Sequence, residues 1–209
     1  MYSSITIRIP VWLDRILAWP VMVYRRYKYG FPFRRIPLGE GIYTIVDPDD
    51  YYRFGHMKWC LGAHRAKPYA VCGVRQKDGS IKTVGLHRII KNPGKGRVVD
   101  HKNGDSLDNR SANLRSATHA QNTYNRKKRK NATSKYIGVS FSNWSRIWDV
   151  QIKHKGKQIW LGRFKREIDG ARAYDRAALK LRGRFARLNF PPKELIVPCL
   201  PRRVFGLRD

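Results

Sequence analysis

The spacing of apolar residues in the first half of the chain predicts short strands separated by turns. Alternating or β-branched apolar runs at residues 42–46, 69–74 and 81–86 are typical of strands, and the last two flank a turn at residues 77–79. Residues 47–50, where Pro48 follows Asp47, can open a short helix. The pattern therefore predicts a strand, a helix and a hairpin in this region.

A second series of strands is predicted near the C-terminal end, followed by a helix. Residues 136–141, 147–153 and 158–164 have the composition of strands, and a turn at residues 154–157 joins the last two into a meander. Apolar residues then recur at helical steps of three and four, at Ile168, Ala171, Tyr174, Ala178 and Leu181, and Gly183 suits a C-cap. A helix that covers one face of this sheet gives the fold class α+β.

Between these regions the pattern predicts a turn, a short strand at residues 98–101, a polar loop, and a helix that Thr118 can cap. Residues 126–130 carry no apolar side chain, so the core of one unit ends there. We therefore predict five segments. They are an N-terminal extension at 1–37, a first domain at 38–125, a basic linker at 126–135, a second domain at 136–190 and a Pro-containing tail at 191–209.

The N-terminal extension is basic and aromatic and ends in Gly30-Phe31-Pro32-Phe33, which predicts a linker or an irregular wrap. Its most apolar part, residues 11–24, is interrupted by Asp14, Arg15 and Pro20 and is too short to span a bilayer. This part can lie on a membrane surface or pack onto the next segment, and we expect packing. The pattern assigns no function to residues 1–37 or to the tail.

The charge of the chain points to a polyanionic partner. It has 44 Lys and Arg against 15 Asp and Glu, a formal net charge of +29, and nucleic acid is the first candidate to compensate it. Charge alone does not separate DNA from RNA, or either from an anionic membrane. The 3 cysteines form no pattern typical of disulfides or of zinc, which favours a reducing, intracellular setting such as the cytoplasm.

Polar residues that could take part in catalysis or bind a metal are dense in residues 98–122. They occur at Asp100-His101, Asn103-Gly104, Asp108-Asn109, Asn113-Leu114-Arg115 and Gln121-Asn122. This pattern resembles the HNH endonuclease family, especially its phage-type homing enzymes. The resemblance reaches upstream through Val46-Asp47, Lys58-Trp59, Tyr69-Ala70-Val71 and Leu86-His87-Arg88. It implies a ββα-metal (His-Me finger) nuclease domain that hydrolyses DNA with a divalent metal ion.

The resemblance also implies a role for each of five residues. His101 would be the general base, Asp100 and Asn122 would hold the metal, and Asn113 would pin the loop. His87 would either contact the scissile phosphate or lie in the ββα core with Arg88. Asn122 stands where many members of the family have His, and an oxygen-only ligand set favours Mg²⁺, with Mn²⁺ as the alternative, over Zn²⁺.

Residues 136–190 resemble the AP2 domain, the DNA-binding module of plant ethylene-response factors that also occurs fused to HNH endonucleases. The matching residues are Tyr136, Gly138-Val139, Trp144, Trp148, Trp160-Leu161-Gly162, Phe164, Ala171-Arg172-Ala173-Tyr174-Asp175, Ala177-Ala178, Gly183 and Leu188-Asn189-Phe190. In that family the sheet lies in the major groove of DNA. The residues expected to contact DNA are Trp144, Arg146, Gln151, Lys153, Gln158 and Trp160, together with Arg126, Lys127, Lys128, Arg129 and Lys130 of the linker.

The first strand of this region departs from the plant pattern, because Ile137, Ser140 and Ser142 stand where plant members have arginines. Arginine is the side chain that most often reads guanine, so the target preference of plant proteins should not be transferred. The remaining exposed cations of the region then serve mainly phosphates. For Gln158 alone, a solvated position on a half-buried sheet is the simpler interpretation.

The sequence therefore predicts a metal-dependent DNA endonuclease that an AP2-like domain targets to double-stranded DNA, with no membrane and no obligate protein partner. One alternative is a non-catalytic AP2-type DNA-binding regulator with a degenerate HNH segment. Another is an RNA-binding or ribosome-associated basic protein, which predicts weak affinity for duplex DNA and no metal site.

Overall fold

A computed structural model describes residues 9–64, 67–125 and 132–192. The fold class is α+β, as predicted. In chain order the elements are α1 (Val11–Tyr29), β1 (Arg34–Gly39), β2 (Ile42–Val46), α2 (Pro48–Phe54), β3 (Cys60–His64), β4 (Lys67–Arg75), β5 (Ile81–Gly85), α3 (Leu86–Lys91), β6 (Val98–His101), β7 (Leu114–Ala117), α4 (His119–Tyr124), β8 (Val139–Ser142), β9 (Ile147–His154), β10 (Lys157–Phe164), α5 (Glu167–Arg182) and a 3₁₀ turn (Gly183–Phe185). The predicted linker residues 126–130 lie outside the described part of the chain.

The described chain forms two compact units, and it passes from one to the other more than once. The first unit holds residues 9–64, 67–90 and 105–113, and the second holds residues 91–104, 114–125 and 132–192. Strands β6 and β7 and helix α4 thus belong to the same unit as the C-terminal sheet. The five predicted segments rest on composition along the chain and stay predictions.

Helix α1 of the first unit covers most of the predicted N-terminal extension and ends at Gly30, which has the left-handed backbone (φ 81°) of a C-cap. One side of the helix contacts the segment that follows, through an ion pair of 3.0 Å between Asp14 and Arg34 and a 2.5 Å hydrogen bond from Arg25 to the Phe33 carbonyl. None of the described helices is long and apolar enough to cross a membrane.

The core of the first unit lies under the β1–β2 hairpin and the sheet of order β3-β4-β5. Phe33, Ile45 and Leu86 are fully buried there. The sequence predicted either a linker or an irregular wrap for the segment Gly30 to Phe33, and the segment is irregular. It is not a linker, because Phe33 fills the core and contacts the ring of Tyr29 at 5.7 Å.

The second unit contains the ββα elements of the HNH-like segment. Strands β6 and β7 pair antiparallel from Val98↔Ala117 to His101↔Leu114, and α4 packs against both strands. Helix α4 begins after Thr118, as predicted. The Thr118 hydroxyl accepts from the Gln121 amide at 3.2 Å and the Gln121 side chain accepts from the Thr118 amide at 2.9 Å, which is a capping box.

The C-terminal part of the second unit is the predicted three-stranded sheet packed on one helix. Its strand order is β10-β9-β8, all antiparallel, and α5 covers one face. The core between them is made of Val139, Val150, Ile152, Ala171, Tyr174 and Ala178. The residue before β8 is Gly138, with a positive φ of 76°. A side chain does not fit there, because a Cβ would overlap the Tyr174 ring and the Gln151 carbonyl.

A buried carboxylate ties the end of this domain to α5. Asp175 accepts hydrogen bonds from the backbone amides of Asn189 and Phe190, both at 2.8 Å, and from the Asn189 side chain at 3.1 Å. Asn189 in turn bonds both backbone groups of Ile137 at the entry to the sheet. The Leu188-Asn189-Phe190 sequence therefore closes the domain by joining its first and last segments to α5.

Candidate active site and nucleic-acid interface

Asp100 and His101 occupy the end of β6, and both are buried, with 4% and 7% of their surface exposed. Alternation on a strand turns their side chains to opposite faces of the β6–β7 hairpin. In the strand register Asp100 lies opposite Arg115, and His101 lies opposite Leu114. The hairpin therefore places a carboxylate and an imidazole at one end of the ββα segment.

Both oxygens of the Asp100 carboxylate accept hydrogen bonds. Oδ2 accepts from Nε and Nη2 of Arg115 at 2.8 and 2.6 Å, and Oδ1 accepts from Nδ2 of Asn125 at 2.9 Å. A buried charge is tolerated only when it is paired and hydrogen-bonded, and Asp100 meets both conditions. The carboxylate is therefore held in one orientation.

Asn125, the C-cap residue of α4, joins the end of that helix to the end of β6. In addition to Asp100, its Nδ2 donates to the His101 carbonyl at 2.8 Å and approaches the Lys102 carbonyl at 3.3 Å. Sequence reasoning did not select Asn125, although it stands three positions after Asn122. Only the direction of each amide at the helix end distinguishes the two, and a single sequence carries no signal for that direction.

Cations surround this carboxylate. The pKa of Lys102 is lowered by burial and by the positive charges of Arg115, Lys91 and Arg184. Burial also lowers the pKa of Arg187, against the attraction of Asp100, which raises it. Because several positive charges are gathered beside Asp100, the surface there is suited to a phosphate group.

Asn122, the second predicted metal ligand, lies in α4 and is exposed. Helix α4 packs against the strand that carries Asp100, so the structure brings the elements of the two predicted ligands together. Within the described residues the Asn122 side chain makes no hydrogen bond that would compete with a ligand, whereas both oxygens of Asp100 accept hydrogen bonds.

Asp100 and Asn122, the two predicted metal ligands, are of the chemical type that a hard divalent ion binds. A carboxylate has about four acceptor positions, and three hydrogen bonds to Asp100 leave one of them. Zinc prefers a cluster of His, Cys, Asp and Glu ligands. The described parts of the chain contain no cluster of three or more of these residues. Asp100 and Asn122 offer oxygen only, and Mg²⁺ accepts few protein ligands because it keeps several waters.

Asn113, predicted to pin the loop between the two strands, is completely buried in the first unit. Its Nδ2 donates to the Asp108 carbonyl at 2.8 Å, and its backbone amide donates to the Arg110 carbonyl at 2.9 Å. Asp108 and Arg110 form a buried ion pair of 2.6 Å in the same loop. These contacts attach Asn113 to the loop, and its pinning role stays a prediction.

The same loop is bonded to β2 at several points. Leu107 accepts from the Ile45 amide at 2.9 Å and from the Thr44 hydroxyl at 2.8 Å, and Asn109 donates to the same hydroxyl at 2.7 Å. Residues 105–113 are thus part of the first unit's core although they connect two strands of the second. Asp108-Asn109, which is part of the HNH resemblance, therefore helps to attach this loop to β2.

His87 lies in α3 of the first unit, where its ring contacts the ring of Tyr69 at 5.1 Å. Strands β6 and β7 and helix α4 belong to the other unit, so the contact with Tyr69 is not a contact with the ββα core. The role of His87 toward a phosphate stays a prediction.

On the C-terminal sheet, four predicted DNA-contacting residues share the face opposite α5. The register pairs Gln151 with Trp160 and Lys153 with Gln158, and directly paired residues of antiparallel strands point to the same side. Lys153, Gln158 and Trp160 are exposed, with 53% of the Trp160 surface accessible. Val150 and Ile152 alternate with them and are buried against the helix.

Trp144 and Arg146 lie in the turn between β8 and β9. Trp144 is 90% exposed, and Arg146 is also exposed in a left-handed backbone conformation (φ 55°). An indole this exposed is available to pack on sugar and backbone atoms of DNA.

A cleft of about 520 Å³ opens within the second unit at the β9–β10 hairpin. Its lining includes Gln151, Lys153, Gln158 and Arg182 from the C-terminal domain and Thr123 and Tyr124 from α4. The Tyr124 ring stacks on His154 at 5.7 Å, and the Arg182 guanidinium lies 4.4 Å from the centre of the same ring. Three of the predicted DNA-contacting side chains therefore border the ββα segment.

Residues 91–124 match the model of the HNH endonuclease family. The chain joins an HNH-family segment to an AP2-like domain. APETALA2-like protein 2 of Oryza sativa subsp. indica is 47% identical over 58 residues, which are 28% of this chain and 13% of that protein. Ethylene-responsive transcription factor ERF013 of Arabidopsis thaliana is 41% identical over 63 residues, 30% of this chain and 26% of its own length.

A third relative, dehydration-responsive element-binding protein 1E of Oryza sativa subsp. indica, is 46% identical over 68 residues, 31% of each chain. This chain therefore spans less than a third of the length of each of these relatives. The resemblances to the HNH family and to AP2/ERF domains, predicted from the sequence, are both confirmed.

Replacing Asn113 by Ala should lower the free energy of unfolding by about 1–3 kcal/mol, because the buried Asp108 carbonyl loses its donor. Thermal or urea unfolding measures this change. Ser111→Ala is the matched control, since Ser111 is an exposed residue of the same loop and should change stability by less than about 0.5 kcal/mol. Equal stability of the two variants would contradict the pinning role of Asn113.

Proposed function

We propose that this protein is a metal-dependent DNA endonuclease whose C-terminal sheet selects the site that the HNH segment cuts. The observation that supports it most is the buried Asp100-His101 pair, held at the end of β6 inside the segment that matches the HNH family. The cation-rich surroundings of Asp100 and the exposed polar face of the sheet supply surfaces for the DNA backbone and for base edges.

In this proposal His101 takes the proton of the attacking water. A neutral imidazole titrates near pH 7 and is the side chain best suited to this step. The Asn125 bond to the His101 carbonyl and the pairing of β6 with β7 hold the backbone of His101, so that the ring is presented from a rigid strand end.

Asp100 and Asn122 would hold a divalent ion, which would offset the charge that develops on the phosphate and stabilise the leaving oxygen. Arg115 and Lys102 would supply further positive charge to the same phosphate. The expected products carry 5′-phosphate and 3′-hydroxyl ends.

The sheet contributes positioning and sequence choice. Lys153 and Arg146 suit phosphates, Gln151 and Gln158 have amides that can bond adenine in two places, and Trp144 and Trp160 can pack on sugars. Because the first strand has serine and isoleucine where plant members have arginine, the preferred target should differ from that of plant proteins. A role in homing is consistent with this combination of domains and is part of the proposal.

The second candidate is a DNA-binding regulator without nuclease activity. The observation that favours it is the Arg115 ion pair, which places a positive charge on the carboxylate that would bind the metal. The two candidates differ in whether plasmid DNA is cut when Mg²⁺ is supplied and is left intact when EDTA removes it.

His101→Ala should abolish cleavage of plasmid DNA in Mg²⁺ while the dissociation constant for duplex DNA stays within about twofold, because the base acts on water and contributes little to binding. His119→Ala is the control, since His119 is exposed at the start of α4. Unchanged turnover in His101→Ala would remove His101 from the mechanism. A wild-type protein that binds but never cuts would favour the regulator instead.

The metal preference follows from the oxygen ligands. Mg²⁺ or Mn²⁺ should support cleavage better than Zn²⁺, and Asn122→His should shift the preference toward softer transition ions because it adds an imidazole ligand. Initial rates measured across these ions for wild type and variant test the assignment. Equal rates with Zn²⁺ and Mg²⁺ in the wild type would contradict it.

Trp160→Ala and Lys153→Ala should weaken binding to the specific target more than binding to random duplex DNA, because both side chains lie on the exposed face of the sheet. Lys180→Ala is the charge-matched control for Lys153, since Lys180 is exposed on α5. Footprinting at fixed salt measures the effect. A footprint that survives both substitutions would show that another surface reads the sequence.

A further inference from the structure

The residues just after α5 contact the ββα segment inside the second unit. The Arg187 guanidinium donates from Nη1 to the backbone carbonyl of Asn125 at 2.8 Å. The Arg184 carbonyl accepts from Nη1 of Arg115, and the Arg115 guanidinium lies 4.5 Å from the centre of the Phe185 ring. The C-terminal turn of the AP2-like domain, residues 184–187, therefore contacts Arg115 and Asn125.

Arg115 and Asn125 are also the two residues that hold the Asp100 carboxylate. Arg115 uses Nε and Nη2 for Asp100 and Nη1 for the C-terminal turn, so that one planar group is fixed from two sides. Asn125 uses its side chain for Asp100 and its backbone carbonyl for Arg187. Each holder of Asp100 is thus itself held by the turn.

Phe185 of the turn and the Asp100 carboxylate are both buried, so they depend on their protein contacts. Phe185 is 5% exposed and Asp100 is 4% exposed, so neither the ring nor the carboxylate has water as an alternative partner. Residues that orient a metal ligand from behind change activity about 10- to 100-fold when they are removed, although they touch neither metal nor substrate. The C-terminal turn, residues 184–187, lies behind Asp100 in the same way, because it contacts the two residues that hold the carboxylate.

We propose that Arg187 is a positioning residue of the nuclease site, which acts through Asn125 to orient the Asp100 carboxylate, so that the AP2-like domain completes the site as well as targeting it. The proposal rests on the proposed nuclease function. It explains why β6, β7 and α4 share a compact unit with the C-terminal sheet. It also predicts that loss of the C-terminal domain impairs the chemical step and not only DNA binding.

The test uses the full chain with Arg187→Ala, the conservative Arg187→Lys, and Arg176→Ala as a control for the loss of one positive charge. Arg176 is exposed on α5. The first measurement is the ¹⁵N–¹H resonance of the Asn125 side-chain amide, assigned with Asn125→Gln, in protein without DNA or metal. The second is the single-turnover cleavage rate at saturating DNA and Mg²⁺, compared with the dissociation constant for the same DNA without metal.

Arg187→Ala should move the Asn125 amide resonance toward that of a solvated amide and lower the cleavage rate about 10- to 100-fold, with a dissociation constant equal to that of Arg176→Ala. Arg187→Lys should recover most of the rate, because it keeps a donor near the Asn125 carbonyl. If circular dichroism shows that Arg187→Ala is unfolded, Arg187→Gln is measured by the same two readouts.

An unchanged Asn125 resonance in Arg187→Ala would overturn the proposal, as would a cleavage rate no lower than that of Arg176→Ala. A purely structural role would lower the melting temperature and leave the cleavage rate of the folded protein unchanged. If the wild type does not cleave DNA at all, the nuclease function fails, and the amide resonance still decides whether Arg187 orients Asn125.

Discussion

The carboxylate of Asp100 sets the constraint on which the second unit depends. A charge that is 4% exposed costs several kcal/mol to desolvate unless partners surround it, and Asp100 obtains them from β7 and from the end of α4. Those partners are anchored in turn by the Arg184–Arg187 turn. The pairing of β6 with β7, the packing of α4 and the position of the C-terminal turn thus all serve one buried ion pair, at the residue that the HNH resemblance assigns to metal.

Elements with a strong local signal were predicted well from the sequence. Strand β2 has its predicted bounds because its β-branched run ends at Asp47-Pro48, and α4 begins where the Thr118 and Gln121 pair caps it. The C-terminal sheet and α5 follow from alternation and from the three- and four-residue steps. In each case the local preference and the burial of one face agree, which is why a single sequence was sufficient.

Elements whose order depends on distant partners were not predicted. Helix α1 has no buried residue and contains Pro20, so its pattern lacked a core-facing stripe, and α1 is held by contacts such as that of Asp14 with Arg34. Strand β7 is only four residues long, and its pairing with β6 defines it. Asn125 was missed for the same reason, and so was the role of Arg115, because its position opposite Asp100 follows from the pairing of β6 with β7.

Cleavage of a randomised duplex library by the full chain in Mg²⁺, with sequencing of the ends, tests the central claim most directly. If the HNH segment cuts where the sheet binds, the ends should carry 5′-phosphates and fall at one fixed distance from a single recognised sequence, and EDTA should abolish them. Ends scattered without a common sequence would contradict targeting by the AP2-like domain. Intact DNA in the presence of Mg²⁺ and Mn²⁺, with binding retained, would contradict the nuclease itself.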